Sequence, residues 1–126
     1  MTTAREAEEY VQKWYKDRNI SISKVKGEHG FDFRDESGKI FVEVKGTSAA
    51  NLSEMSWYFT NSEYMKAKEC IRNNEKRYEI HLVHLRRDGT KNHYRVNAQT
   101  LIDKAKPEIQ WLLPLRKNEL ENSKEP

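Results

Sequence analysis

The stretch from Gly30 to Thr47 constrains the fold of this chain more than any other. Its sequence, Gly-Phe-Asp-Phe-Arg-Asp-Glu-Ser-Gly-Lys-Ile-Phe-Val-Glu-Val-Lys-Gly-Thr, reads as a β-hairpin. Apolar residues alternate with others on both sides of a turn at Glu36-Ser37-Gly38-Lys39. In a strand, successive side chains point to opposite faces, so Ile40, Val42 and Val44 share one side of the second arm. Phe41, Glu43 and Lys45 share the other. An acid and a lysine therefore stand on one face of a strand apolar enough to be central.

The turn also predicts a register. A loop of Ser37-Gly38, or of the four residues from Glu36 to Lys39, sets Asp32 directly opposite Glu43. Opposed residues point to the same face, with Cβ atoms roughly 4.5–5.5 Å apart. Two carboxylates that close repel unless a cation sits between them. A hard divalent ion such as Mg²⁺ meets that need, because it takes a few carboxylates and keeps several waters. Lys45 is placed to orient or deprotonate an attacking water, or to stabilise charge on a phosphate. An odd-length loop or a bulge breaks this register. The plain alternative is a surface hairpin with a solvated Glu43 and Lys45.

Composition narrows the class. A length of 126 residues suits one domain, here read as residues 1–115 with a polar tail, 116–126, that frays. Charged residues make up 34% and the hydrophobic set 36%, so the core is small and the surface charged. Periodic apolar segments argue against disorder of the whole chain. A net charge of +3 permits nucleic-acid binding without arguing for it. The single Cys70 excludes an intramolecular disulfide and makes a structural zinc site an unsuitable reading. With no apolar run after Met1 and no membrane-span-length stretch, the expectation is an intracellular, cytoplasmic protein without membrane contact.

Thr3-Ala4-Arg5-Glu6 is a capping-box pattern that opens a helix ending near Arg18-Asn19, with Ala7, Tyr10, Val11 and Trp14 on one apolar face. Glu8 sits at the border of that stripe, and helical geometry does not separate it from Glu6. Ile20 to Val25 predicts a first strand. Lys24, Lys26 and His29 precede the hairpin and are read as wet, with phosphate contact as the alternative. Gly46 is expected to release the second arm, and Thr47 to Ser56 to form a loop past the mouth of the site. Trp57-Tyr58-Phe59 reads as core, although aromatics also stack on bases.

Thr60, Asn61 or Ser62 caps a second helix carrying Tyr64, Ala67 and Ile71 on one face. Glu63 lies in its first turn, where charge complementarity explains it as well as a reach toward the site does. Tyr78 to Leu85 is a strand apolar on both faces, in which His81 and His84 face opposite ways. Asn92 to Val96 returns after an Asp88-Gly89 turn, and Asn97 caps a short helix holding Leu101 and Ile102. Trp111-Leu112-Leu113 is one more strand or a docked segment, stopped by Pro114. The fold class is α/β: a mixed β-sheet flanked by helices in the order α-β-β-β-α-β, with extra β structure after it.

Asp32 followed by Glu43-Val44-Lys45 resembles the signature of the PD-(D/E)XK nuclease superfamily, whose fold is called restriction-endonuclease-like. More narrowly, the chain resembles the C-terminal domain family of the plant protein NO VEIN. The pieces that carry the likeness are Ala7-Glu8-Glu9-Tyr10-Val11, Gly30-Phe31-Asp32-Phe33, Phe41-Val42-Glu43-Val44-Lys45-Gly46-Thr47, Tyr58 to Tyr64, and Tyr78 to Val83. They span roughly residues 4 to 96 in the expected order. The resemblance implies a Mg²⁺-dependent endonuclease, with Mn²⁺ as substitute, in a restriction or defence setting. Asp32 and Glu43 would bind the ion with the Val44 carbonyl, Lys45 would act on the water, and Glu8 would be an accessory acid from the first helix. DNA is the expected partner, with a second copy of the chain or a larger defence assembly beside it. A non-cleaving DNA-binding or assembly module and a Holliday-junction resolvase are the alternatives.

Overall fold

A computed structural model of the chain describes residues 2–27, 29–50, 54–107 and 111–126. Its elements in chain order are α1 (Thr3–Lys16), β1 (Ile22–Lys24), β2 (Phe33–Asp35), β3 (Ile40–Thr47), β4 (Glu54–Phe59), α2 (Asn61–Arg72), β5 (Arg77–Leu85), β6 (Lys91–Asn97), α3 (Ala98–Lys104), β7 (Lys106–Pro107), β8 (Trp111–Arg116) and α4 (Lys117–Asn122). The expected α-β-β-β-α-β order runs through α1 to β5, with β4 inserted before α2. Two sheets result. One has five strands in the order β1-β2-β3-β5-β6, and the other has three in the order β4-β8-β7. In the larger sheet only β3 and β5 are parallel. No helix among the described residues is long and apolar enough to cross a membrane.

The hairpin turn is built by Asp35, whose Oδ1 accepts from the N–H groups of Lys39 and Ile40 at 2.9 and 3.0 Å. It leaves Glu36 to Lys39 as the connection, and Phe33 and Arg34 then face Val42 and Phe41 in the register that the turn predicts. The ladder departs from that register one residue earlier. Asp32 donates its N–H to Val42, the residue that Phe33 already faces, at 2.8 Å. This irregularity lets β2 leave β3. From Glu43 onward β3 is paired along one side only, with β5 from Ile40–Arg77 to Thr47–His84.

The alternation along β3 sorts the core. Ile40, Val42 and Val44 pack with Ala7, Val11 and Tyr15 of α1, together with Ile22, Phe33 and Val83. Phe41 joins the opposite layer, with Ala67, Cys70, Tyr78, Ile80 and Leu82. The smaller sheet caps that layer through Trp57, Phe59, Leu113 and Leu115. Within the aromatic run, Trp57 and Phe59 are core as expected, and only Tyr58 is exposed.

Several local expectations change. Helix α1 is capped by Thr2, whose side chain accepts from the Arg5 N–H, rather than by Thr3. Strand β3 does not end at Lys45 but runs through Gly46 to Thr47. A side chain at Gly46 would put its Cβ 2.7 Å from the Ala7 Cβ and 3.1 Å from the Thr3 carbonyl oxygen. Gly46 is therefore the seat on which α1 approaches the sheet, not a release point. The expected loop from Thr47 to Ser56 contains the start of β4, and residues 51–53 of it lie outside the described residues. Pro114 sits inside β8 opposite Ser56, where β7 no longer covers the other side. A missing N–H is tolerated at such an edge position. The segment expected to fray instead forms α4 with Leu120 buried. Beyond it, Glu125 donates its N–H to the His93 carbonyl of β6 at 2.7 Å.

Candidate active site

The open side of β3 is where the charged residues collect. The Glu43 side chain lies in the sheet interior, only 2% exposed. Its Oε2 is 3.1 Å from Lys45 Nζ. Its Oε1 is buried without a hydrogen-bond partner when every acid is taken as a carboxylate. Lys45 also reaches Glu63 Oε1 at 2.9 Å, and its ammonium sits 4.9 Å from the centre of the Phe59 ring.

Asp32 lies in the gap that β2 leaves. Its Oδ2 accepts from the Val44 N–H at 3.0 Å, which ties it to the open edge of β3. A strand residue turns its N–H and C=O to the same side, as the double exchange between opposed residues requires. The Val44 carbonyl therefore faces the same gap. The other oxygen, Oδ1, lies 3.8 Å from Lys24 Nζ, and Lys24 bonds Glu8 Oε1 at 2.8 Å. Glu8 is thus joined to Asp32 through one ammonium. Glu6 points elsewhere, to Lys91 at 3.7 Å. Of the two acids that helical geometry leaves open, Glu8 is the one that lies on this side.

The electrostatics follow from burial. Burial pushes the Glu43 carboxyl up to about 10, against the pull of the Lys45 ammonium, and the hydrogen bond to Glu63 and the nearby charge of Asp32 add to the rise. A proton on Glu43 gives it a donor toward Glu63. Burial would also raise Glu63, but the bonds it receives from Glu43, Lys45 and the Thr60 N–H outweigh it and hold Glu63 below its usual value. For Lys45, burial works downward and the two neighbouring carboxyl groups work upward, with a net rise. The resting state is therefore an ammonium on Lys45, an ionised Glu63 and a protonated Glu43. The ion pair is carried by Glu63. Asp32 is raised by burial, opposed by the Val44 N–H and Lys24 and reinforced by Glu8. Such perturbed groups, gathered at one edge, mark functional sites more often than structural ones.

Sequence reasoning brings Asp32, Glu43, Val44 and Lys45 to one place, and the structure does the same, with Glu8 attached through Lys24. It left Glu63 undecided between capping and the site. In fact Glu63 does both, since Thr60 and Glu63 form a reciprocal capping box while the same Oε1 that accepts from Thr60 N–H holds Lys45. The signal was its place three residues after a helix cap in a chain with a buried lysine still to be paired. Lys24, read as wet, is the second addition. Gly30 explains how the hairpin meets α2: its φ is +81°, and a Cβ there would lie 2.4 Å from the Ser62 carbonyl oxygen. His81 and His84 do lie on opposite faces, bonded to Tyr15 and to the Ala49 carbonyl, at 2.6 Å each.

The donor set suits a hard cation. Its atoms are the carboxyl oxygens of Asp32 and Glu43 and the carbonyl oxygen of Val44. Among the described residues no three His, Cys, Asp or Glu side chains form a complete cage.

No protein-family model matches this chain, so the narrower likeness to the NO VEIN domain has no such match behind it. No curated protein matches it either. Among solved structures it is similar to Hjc of Archaeoglobus fulgidus, a Holliday junction resolvase from an archaeal hyperthermophile. The superposition has a TM-score of 0.62 and covers 96% of this chain and 89% of the other, at 11% identity. The fold is restriction-endonuclease-like.

Proposed function

We propose that this chain is a metal-dependent nuclease that hydrolyses phosphodiester bonds in DNA. The observation that carries the reading is the meeting of Asp32, Glu43 and Lys45 where β2 leaves β3, the Asp32 carboxylate held there by Val44 and Glu43 bonded to Lys45. In this reading Asp32 and Glu43 hold Mg²⁺, or Mn²⁺ in its place, with the Val44 carbonyl as a further oxygen. When bound, the ion polarises the phosphate and activates the attacking water.

Lys45 works as a charged clamp on the attacked phosphate rather than as a base, because its carboxyl neighbours keep it protonated. Glu8 is an accessory acid that bears on Asp32 through Lys24. A cation held by Asp32 and Glu43 would favour the carboxylate form of Glu43. One such site cuts one strand, so a second copy of the chain is the natural partner on a duplex. The resemblance of the short motifs Gly30–Phe33 and Phe41–Thr47 to the NO VEIN domain speaks for an intracellular restriction or defence setting.

The alternative worth testing alongside is a junction resolvase, since the fold likeness to one extends over 96% of the chain. The experiment offers plasmid, linear duplex, single strand, RNA and a four-way junction, each with Mg²⁺, Mn²⁺ or EDTA. Metal-dependent cleavage of duplex DNA supports the nuclease reading. Cleavage confined to the junction supports the resolvase. Binding without cleavage under every metal supports a non-cleaving module.

A further inference from the structure

Glu63 stands at two junctions at once. Its Oε1 accepts from the Thr60 N–H at 2.8 Å and from Lys45 Nζ at 2.9 Å. The first bond belongs to the capping box of α2 and fixes the carboxylate at the start of a twelve-residue helix. The second reaches across to the middle of the sheet. A lysine has a flexible four-carbon stem, and a point charge on such a stem acts only where something else holds it. Lys45 has two holders, Glu43 and Glu63. Glu43 is the one that a cation would claim, because it is the buried carboxyl beside Asp32. Glu63 is then the acid that remains for Lys45. The Phe59 ring beneath the ammonium limits its travel on the other side.

We propose that Glu63 is the positioning residue of this site: from the N-terminus of α2 it holds the Lys45 ammonium in place while Glu43 turns to the metal. This rests on the nuclease reading above. Glu63 does not touch the reacting atoms, and its effect runs through Lys45. A merely structural Glu63 would cap α2 and nothing more.

Glu63→Gln separates the two roles, because the amide oxygen still accepts from the Thr60 N–H while the negative charge that holds Lys45 is lost. Asn97→Ala is the control, since it removes the side-chain cap of α3, an acceptor 2.9 Å from the Thr100 N–H, on a helix that carries none of the site's charged residues. The expected result is that Glu63→Gln lowers kcat by about 10- to 100-fold, the scale of a misplaced catalytic group. KM and melting temperature stay near wild type. Asn97→Ala shows the reverse, a lower melting temperature with cleavage retained. In a Lys45→Ala background, Glu63→Gln has no further effect on the rate. Wild-type cleavage by Glu63→Gln, or two losses that multiply, overturns the proposal.

A wild type that cuts nothing overturns the nuclease reading and the catalytic role with it. The contact itself is then read from melting curves of wild type, Glu63→Gln, Lys45→Ala and the double variant. A stability cost of Lys45→Ala that changes in the Glu63→Gln background supports the Lys45–Glu63 pair, and an unchanged cost overturns it.

Discussion

Val44 donates its backbone N–H to the Asp32 carboxylate at 3.0 Å, so the residue that leaves the hairpin ladder is tied to the strand bearing Glu43 and Lys45. Asp32→Asn keeps that bond, because an amide oxygen accepts equally, and removes the charge. Burial disfavours that charge in the metal-free protein. The expected outcome is a loss of Mg²⁺ affinity in calorimetric titration, while the metal-free melting temperature holds or rises. Metal uptake equal to wild type excludes Asp32 as a ligand.

Lys24 already stands where two acids look for a cation. Its ammonium contacts Glu8 Oε1 at 2.8 Å and lies 3.8 Å from Asp32 Oδ1, the oxygen that Val44 leaves free. Removing it takes away a competitor for those oxygens. Lys24→Met is expected to tighten Mg²⁺ binding several-fold and to lower metal-free stability by up to about 1 kcal/mol, the upper range for a solvent-accessible ion pair. Weaker metal binding in the variant assigns Lys24 a supporting role instead of a competing one.

A polar chain beneath α1 sets an acid limit. Tyr15 donates to Glu79, which only accepts, and its oxygen faces His81 Nε2 at 2.6 Å. His81 Nδ1 meets His93 Nε2 at 2.7 Å. That order assigns the neutral tautomers: Nε2–H on both rings, with His93 Nδ1 left bare, buried and unpartnered. Tyr10, Trp14, Arg18 and Arg95 also face this cluster. Burial, with the Arg95 and Arg18 charges, pulls His93 down to about 4 from 6.5, and burial with His93 pulls His81 well below 6.5 too. Between those values the unfolded chain takes up protons that the folded one refuses, so stability falls as pH drops from about 6.5 toward 4. Urea melts across that range check it. His93→Gln, which retains a donor toward His81, is expected to flatten the slope.

How far the sequence speaks differs from residue to residue. The pairing of Phe33 with Val42 follows from a turn whose length is visible in Glu36 to Lys39. The break at Asp32 does not, because it depends on where β1 and α1 draw the chain, and no local pattern records that. Glu8 and Glu6 flank the apolar stripe of α1 on opposite sides, and only their partners, Lys24 and Lys91, separate them. Strand β4 hides because its partner β8 lies more than fifty residues on, and neither has a clean alternation of its own. Pro114 signals a stop only if both edges of its strand are paired. Glu63 has a sufficient local reason in its capping box, which masks the distant one.

The most direct test compares wild type with Lys45→Ala in single-turnover cleavage of duplex DNA and in binding with the metal chelated. Lys45 is bonded to Glu43 and Glu63 but supplies no oxygen to a metal, so its removal takes away the ammonium while the Val44 N–H still holds Asp32. The account predicts metal-dependent cutting by wild type, a loss of about 10²-fold or more in Lys45→Ala, and little change in duplex affinity, since one phosphate contact is a small part of nonspecific binding. A wild type that leaves every nucleic acid intact with Mg²⁺ and Mn²⁺, or a Lys45→Ala protein that cuts as fast as wild type, contradicts it.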